Sequence, residues 1–194
     1  MANHIGLIVD GEGDFASFRR KFKDGFRILK TDGPRGHTVT PEQIVNRSRK
    51  QVLMLQAFRC DAVIIVLDFE ERSMRYGEFC KALEDRVKSL KFPVPVQVAV
   101  PNQMIENWYL ADIHHLSMHK RFLKEDLQQK PYEGKAGKKI IKRMMRKGYS
   151  YSETKHGPEL FEAIRLGTAR RNSSSFDAFL SHIEDAIEGK VSNN

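Results

Sequence analysis

The stretch GLIVDGEGDFASF, residues 6–18, carries the signals that decide the fold. Its short apolar run predicts a buried strand, because continuous apolar residues are typical of parallel strands covered on both faces. Two glycines and three carboxylates follow at once: Asp10, Glu12 and Asp14. Next come three phenylalanines at helical spacing: Phe15, Phe18 and Phe22. The stretch therefore predicts a strand, an acidic turn and a helix in direct succession.

Alternation of strand and helix continues along the chain. The clearest further strand is the continuous apolar run DAVIIVL. The predicted strands lie at residues 4–9, 26–30, 61–67 and 95–100, and helices are predicted at 41–58, 74–90 and 103–116. Thr40 and Pro41 suit the start of the first of these helices. The alternation predicts an α/β fold in which helices flank a parallel sheet on both faces.

The C-terminal third of the chain has a different pattern. After residue 118 no strand pattern returns, and the remaining sequence indicates helices joined by short loops. The last helix is predicted at about 176–188, with Ser174 or Ser175 as its N-cap. We therefore expect an α/β core over residues 1–118 and a basic helical C-terminal part, residues 119–194, packed on that core.

Acidic residues follow the predicted strands at their carboxyl ends. Asp10, Glu12 and Asp14 follow the first strand, Asp68, Glu70 and Glu71 follow the third, and Glu106 lies shortly after the fourth. In an open parallel sheet the functional crevice lies beyond the carboxyl ends of the strands, so we expect these carboxylates to converge on one edge. For the acids that follow any single strand there is an alternative interpretation: they are solvated loop residues, because Asp and Glu are mostly exposed.

A divalent cation would offset the repulsion among these carboxylates. Mg²⁺ takes oxygen ligands and often bridges carboxylates to substrate phosphate, and such an ion activates water during phosphate-ester cleavage. Asp68 and Glu70 flank one residue, so in an extended segment both side chains point the same way. We therefore expect Asp68 and Glu70 to share one Mg²⁺ or Mn²⁺ ion.

The charge of the chain is strongly local. The sequence has 33 Lys plus Arg against 25 Asp plus Glu, a net charge of +8. Residues 119–147 hold eleven basic and three acidic residues, which accounts for the whole excess. Such a block predicts a nucleic-acid surface, although a solvated charged helix is the alternative. The candidate contacts are Lys135, Lys138, Lys139, Lys142, Arg143 and Arg146.

Several of these motifs resemble the Toprim domain, which topoisomerases, bacterial primases and several nucleases share. VDGEGD (9–14) is similar to its V-E-G-x-x-[DE] turn, and LDFE (67–70) is similar to its D-x-D strand end. Three further segments resemble a Toprim-like family of unknown function, related to OLD-type nucleases: IENWYLAD (105–112), TKHGPELFEAI (154–164) and SSSFDAFLSHI (173–183). Members of that family are often encoded beside an AAA-type ATPase in anti-phage defence loci.

The resemblance implies a Toprim-like, Rossmannoid sheet and a role for each matched acid. Asp10 matches the general acid or base of the turn, and Asp14 matches its second acid. Asp68 and Glu70 match the metal-ligating pair, and Glu106 matches the acid of the helix motif. By this match Asp10, Asp14 and Glu106 are catalytic, and Asp10 also supports the metal. Asp10 is one methylene shorter than the usual Glu, and Glu70 is one methylene longer than the usual Asp.

Two hypotheses of function follow. The first is a Mg²⁺- or Mn²⁺-dependent nuclease that hydrolyses DNA or RNA and grips the backbone with residues 135–147. Hydrolysis is favoured because no motif places a tyrosine as a topoisomerase nucleophile. The second is a catalytically degenerate binding or regulatory partner of an AAA-type ATPase, which the altered acids Asp10 and Glu70 suggest.

The first turn also fits a different class of protein. Residues 11–16 match G-x-G-x-x-A, the dinucleotide-binding fingerprint, and Asp32 supplies the later acid. A bound pyrophosphate would lie against three carboxylates there, where the fingerprint normally offers only backbone N–H groups. This electrostatic conflict makes a nucleotide-binding oxidoreductase the weaker interpretation.

Two further patterns have ordinary explanations. Asp112, His115 and His119 share one helix face and could bind a transition metal, but no fourth ligand accompanies them. Trp108 and Tyr109 could stack on a base, although aromatic residues at helical spacing more often belong to the core. We expect a plain helix face and a core position, respectively.

The sequence also indicates where the protein works. No apolar stretch is long enough to span a bilayer, and the N-terminus lacks the basic region of a signal peptide. Cys60 and Cys80 have neither disulfide nor metal spacing, which favours idle thiols in a reducing compartment. We therefore expect a cytoplasmic protein without a membrane partner. The oligomeric state is left open, a homodimer included.

Overall fold

The computed structural model describes residues 4–32, 38–70 and 72–190. Within these ranges one parallel sheet forms, in the order β2-β1-β3-β4. Its strands are β1 (Ile5–Val9), β2 (Phe26–Lys30), β3 (Ala62–Val66) and β4 (Val96–Ala99). The predicted α/β class and parallel sheet are confirmed. The predicted acid Glu71 and most of the predicted 31–38 loop lie outside the described residues.

Helices cover both faces of the sheet. They are α1 (Glu12–Lys21), α2 (Pro41–Ala57), α3 (Tyr76–Ser89), α4 (Glu106–Leu110), α5 (Ile113–His119), α6 (Gly137–Met144), α7 (Glu153–Ala163), α8 (Leu166–Asn172) and α9 (Ser174–Ile187). The single helix predicted at 103–116 is wrong, because Asp112 leaves the helical region at φ −130° and separates α4 from α5. In the described residues no helix is both long and apolar enough to cross a membrane.

The central strands β1 and β3 are buried along their whole length, as their apolar sequences predict. One face of the sheet packs against α2 and α3, and the core there includes Val45, Leu55, Phe79 and Leu83. The opposite face packs against an aromatic cluster: Phe18, Trp108, Phe161, Phe176 and Phe179. Trp108 and Tyr109 are at most 1% exposed, so the core interpretation of these two aromatics is confirmed.

The C-terminal helices complete the second face of the sheet. α7 lies along α1, and α9 contacts β1, β3 and β4. Trp108 Nε1 donates to Ser175 Oγ at 2.9 Å, which links α4 to the first turn of α9. Residues before and after position 118 therefore share one hydrophobic core. This packing brings the ends of α6 and α7 to the carboxyl edge of the sheet.

Gly13 allows the close approach of α1 to α7. A Cβ at this position would lie 3.0 Å from Glu153 Cβ and 3.3 Å from the Glu153 carbonyl carbon. Since backbone cannot give way as a flexible side chain does, we expect Gly13→Ala to lower the free energy of unfolding by about 1–3 kcal/mol. Urea denaturation measures the change. Gly77→Ala is the matched control, because nothing lies within 4 Å of a Cβ there.

Candidate acidic site at the carboxyl edge of the sheet

The first acidic turn lies at the N-terminus of α1. Gly11 is the N-cap, and its backbone N–H donates to Asp14 Oδ2 across 3.3 Å. Glu12 forms an ion pair with Lys30 of β2. Carboxylates in the first turn of a helix are favoured by the unpaired N–H groups there. Helix capping thus accounts for part of the crowding, and it engages an N–H group that a dinucleotide pyrophosphate would need.

Asp68 and Glu70 follow β3 with different backbone conformations. Asp68 Oδ1 accepts a 2.8 Å hydrogen bond from the N–H of Ile105, which ties the end of β3 to the start of α4. Glu70 has a φ of 56°, and its N–H donates to Gln103 O at 2.7 Å. The expectation of an extended segment is therefore wrong at Glu70, because a left-handed residue redirects the side chain. Strain of this kind in a non-glycine residue is common at functional sites.

Glu106 occupies the first turn of α4 and is only 2% exposed. Tyr151 Oη donates to Glu106 Oε1 at 3.0 Å. α6 begins against this residue, since a Cβ on Gly137 would lie 3.1 Å from Glu106 Cβ and 3.0 Å from Asn107 N. The side-chain amide of Asn107 donates to Lys135 O at 2.9 Å. The start of the basic block is thereby fixed beside Glu106.

Asp14, Asp68 and Glu106 interact electrostatically, and we name them the acidic cluster. Burial, and then the charge of Glu106, raises the pKa of Asp14 from its ordinary 3.8 to about 7. Burial and the charges of Asp14 and Glu106 raise the pKa of Asp68 well above its ordinary value. Burial also raises the pKa of Glu106, against the opposing effect of Lys138. The fold therefore holds three chain-distant carboxylates together against their repulsion, as functional sites often do.

The remaining predicted acids lie around this cluster. The charge of Asp10 adds to the raised pKa of Asp14, and the charge of Glu70 adds to that of Asp68. Both contributions are smaller than those within the acidic cluster. Asp10 and Glu70 also raise the pKa of Arg72, against the larger effect of its burial. The structure thus brings the predicted catalytic and metal-ligating residues into one electrostatic neighbourhood.

Lys138 brings a positive charge to the acidic cluster from the first turn of α6. Its Nζ lies 2.9 Å from Glu153 Oε1, in the first turn of α7. Burial lowers the pKa of Lys138, but the bond to Glu153 and the charge of Glu106 raise it above its usual value on balance. Lys138 therefore stays protonated at neutral pH beside the carboxylates, where a substrate phosphate would need an opposing charge.

The donor set of the acidic cluster fits a hard divalent cation. All its side-chain donors are carboxylate oxygens, which Mg²⁺ and Mn²⁺ prefer over nitrogen or sulfur. Within residues 4–32, 38–70 and 72–190, however, no three His, Cys, Asp or Glu side chains stand as a ready-made metal-binding group. The chemistry of the ligands thus fits a metal, and binding would include side-chain adjustment.

The basic block is less uniform than the sequence predicts. α6 is shorter than residues 135–147, the segment expected to grip nucleic acid, because Met145 leaves the helix to bridge Leu123 in an antiparallel pair. Arg146 donates to Leu123 O at 2.8 Å and pairs with Glu125, so its guanidinium has a structural role. Lys135 lies 5.8 Å from the ring centre of Tyr132. Three cations remain exposed along α6: Lys139, Lys142 and Arg143.

The helix face with Asp112, His115 and His119 is a structural feature. Asp112 is 1% exposed, and its carboxylate accepts hydrogen bonds from the backbone and the guanidinium of Arg165 at 2.7–3.1 Å. The rings of His115 and His119 lie 4.3 Å apart. The expectation of an ordinary helix face agrees with these contacts, since Arg165 already satisfies the carboxylate.

Two residues of the site escaped the sequence analysis: Tyr151 and Glu153. Both come from the segment that leads into α7, and they reach the acidic cluster only because α7 packs along α1. A pair of hydroxyl groups lies behind them, where Tyr109 Oη donates to Ser17 Oγ at 3.2 Å. No spacing rule marks these residues, although the glycine at 157 does signal the close contact that brings the hydroxyls together.

Comparisons with known proteins identify one family for this chain. Neither the curated proteins nor the solved structures give a match. One family model matches residues 10–184, a span that begins at Asp10 and includes the whole acidic cluster. The chain therefore belongs to the family described as a domain of unknown function, DUF4276.

Proposed function

We propose that the protein is a divalent-metal-dependent nuclease that hydrolyses phosphodiester bonds in DNA or RNA. The observation that carries the proposal is the acidic cluster, in which burial raises the pKa of Asp14, Asp68 and Glu106, and neighbouring carboxylates raise the pKa of Asp14 and Asp68 further. Carboxylates held in this way are stabilised by a cation. The cluster also lies beyond the carboxyl ends of parallel strands, where α/β proteins place their active sites.

Asp68 is the best-supported metal ligand in this account. It would hold Mg²⁺ or Mn²⁺ together with Asp10 and Glu70, and its backbone bond from Ile105 keeps the carboxylate at the sheet edge. When bound, such an ion lowers the pKa of a coordinated water and offsets phosphate charge. The Toprim-like relationship implied by the sequence motifs agrees with this assignment, and so does the parallel sheet.

The other acids would transfer protons. Asp14 has a pKa near 7, which suits a group that exchanges protons at neutral pH. Glu106 is oriented by Tyr151, so its carboxylate presents a fixed direction to a substrate. Lys138 would place its ammonium group against the scissile phosphate as negative charge builds up.

The exposed cations of α6 would bind the nucleic-acid backbone. α6 starts against Glu106 and carries Lys142 and Arg143 on its exposed side. We expect the double variant Lys142→Ala with Arg143→Ala to reduce the slope of log affinity against log salt by about 2, because two phosphate contacts are lost. Fluorescence anisotropy with a labelled oligonucleotide measures the slope. The matched control replaces two exposed cations of α2, Arg47 and Lys50, and should leave the slope unchanged.

Cleavage assays test the proposal directly. Plasmid, single-stranded DNA and tRNA would each be incubated with Mg²⁺, Mn²⁺ or EDTA. The proposal predicts cutting of at least one substrate with a divalent ion and none in EDTA. Equal cutting with and without EDTA would contradict it.

A catalytically degenerate partner protein is the second candidate. The altered acids Asp10 and Glu70 favour it. The resemblance to families encoded beside an AAA-type ATPase in anti-phage loci suggests that ATPase as the partner. The spacing of the two cysteines suggests that the protein acts in the cytoplasm. Tight ATPase binding together with the absence of metal binding in titration calorimetry would support this second candidate over the nuclease.

A further inference from the structure

The outer edge of β4 presents backbone groups that the sheet does not use. β4 pairs with β3 through Pro95 O, which accepts from Val63 N at 2.9 Å, and through Ala99 O, which accepts from Leu67 N at 3.3 Å. Alternate residues of a strand direct their N–H and C=O groups to opposite sides. The backbone groups of Val96 and Val98 therefore face outward, away from β3.

The two edges of the sheet are protected differently. β2, at one edge, carries Arg27 and Lys30, and charged side chains discourage pairing with another chain. β4, at the other edge, has the sequence VQVA and no charge. A helix residue covers it only in part, since His182 Nε2 donates to Val98 O at 3.2 Å. Among the residues that the structure describes, the β4 edge is thus the one open to a further strand.

A groove of about 280 Å³ runs along this open edge. α3 forms one wall with Glu84, Val87 and Lys88, and His182 of α9 lies on the other side. Glu84 and Lys88 have opposite charges, are both exposed and lie one helical turn apart. A two-fold axis between them would bring each acid opposite the base of a second copy, which makes this wall complementary to itself.

Gln97 supplies an independent sign that something is missing at this edge. Its Nε2 donates to His182 Nδ1 at 2.9 Å, but its Oε1 is buried and has no hydrogen-bond partner within the described residues. A buried amide oxygen without a donor destabilises a protein. Because this oxygen is buried in the single chain, a second copy would meet it only after the Gln97 side chain turns outward from His182. Two Gln97 amides turned toward each other would then satisfy both oxygens, since each amide nitrogen has a second hydrogen.

We propose that β4 pairs antiparallel with β4 of a second copy of this chain, across a two-fold axis at Gln97. In this register Val96 lies opposite Val98 of the second copy, and the outward N–H and C=O groups of each pair bond reciprocally once His182 gives up its hydrogen bond to Val98 O. The two Gln97 amides face each other, and Glu84 of each copy lies near Lys88 of the other. The result is one continuous eight-stranded sheet built from two four-stranded halves.

Sedimentation velocity over protein concentrations from about 1 to about 200 µM tests this arrangement. The wild type should dimerise. Glu84→Lys should weaken the dimer about tenfold or more, because the self-complementary wall becomes uniformly positive. The swapped double variant, Glu84→Lys with Lys88→Glu, should restore the affinity to within about threefold of the wild type. If the swapped variant recovers the dimer affinity, the weaker dimer of Glu84→Lys cannot be explained by damage to the fold.

Two further variants complete the test. Gln97→Glu should break the dimer, because two carboxylates would face each other at the axis, while circular dichroism reports whether the monomer keeps its fold. Arg27→Glu at the opposite edge is the control and should leave dimerisation unchanged. A wild type that stays monomeric at the highest concentration overturns the proposal. So does a dimer that Glu84→Lys and Gln97→Glu leave intact. Neither outcome bears on the proposed nuclease activity, which would lie at the carboxyl ends of the strands.

Discussion

Asp68→Asn should abolish metal-dependent cleavage, with a loss of at least about a thousandfold in rate. The substitution removes the charge that would bind the cation but keeps the size of the side chain. The asparagine oxygen can still accept the hydrogen bond from Ile105 N, so the link between β3 and α4 survives. The expected loss of cleavage rate therefore comes from the missing carboxylate charge and not from a change in the fold. Single-turnover cleavage of the preferred substrate in Mg²⁺ measures it.

The control for this variant is Asp85→Asn, an exposed acid on α3 remote from the strand ends. It should cleave at the wild-type rate. Circular dichroism and thermal melting check that Asp68→Asn is folded. Cleavage by Asp68→Asn at a rate close to that of the wild type would show that this carboxylate does not serve the reaction.

Asp14→Asn should stabilise the metal-free protein at pH 8. The pKa of Asp14 is about 7 in the folded protein and near 3.8 when unfolded, so between these values the folded state binds more protons. Stability supported by that proton is fully present below pH 3.8 and is lost as the pH rises through 7. Asparagine cannot ionise and avoids this loss. After a reduction for partial solvent exposure, the expected gain at pH 8 is about 1–3 kcal/mol.

Urea denaturation at pH 5 and pH 8 in EDTA measures this effect. The variant should gain little at pH 5, where Asp14 is already protonated, and most at pH 8. Adding Mg²⁺ should stabilise the wild type more than the variant, because only the wild type has the full set of charges for the ion. Asp126→Asn, an exposed loop acid, is the control and should show no pH-dependent gain. A variant less stable than the wild type at pH 8 would contradict the repulsion inferred for the acidic cluster.

Local sequence predicted the sheet well, for physical reasons. Buried parallel strands need continuous apolar runs, and IGLIV and AVIIV have no polar residue to misplace. The break at Asp112 could not be predicted, because it depends on Arg165, which lies far along the chain and takes the Asp112 carboxylate. The left-handed turn at Glu70 depends in the same way on a partner, the carbonyl of Gln103.

Most of the candidate site was also visible in the sequence. Asp14, Asp68 and Glu106 follow elements that end at one edge of a parallel sheet, so topology alone brings them together. Tyr151 and Glu153 depend on how α7 docks on α1, which no periodicity encodes. Gly13 belongs to the dinucleotide fingerprint, which is the weaker interpretation of this turn, and its missing side chain lets α7 pack closely against α1.

The central claim is that the carboxylates at the strand ends jointly hold a divalent cation. Titration calorimetry with Mn²⁺ at pH 7.5, on the wild type beside Asp68→Asn and Asp85→Asn, tests it most directly. The account predicts saturable binding to the wild type and to Asp85→Asn, with proton release from the acidic cluster, and loss of that binding in Asp68→Asn. A wild type that binds no Mn²⁺, or an Asp68→Asn variant that binds as the wild type does, would contradict it.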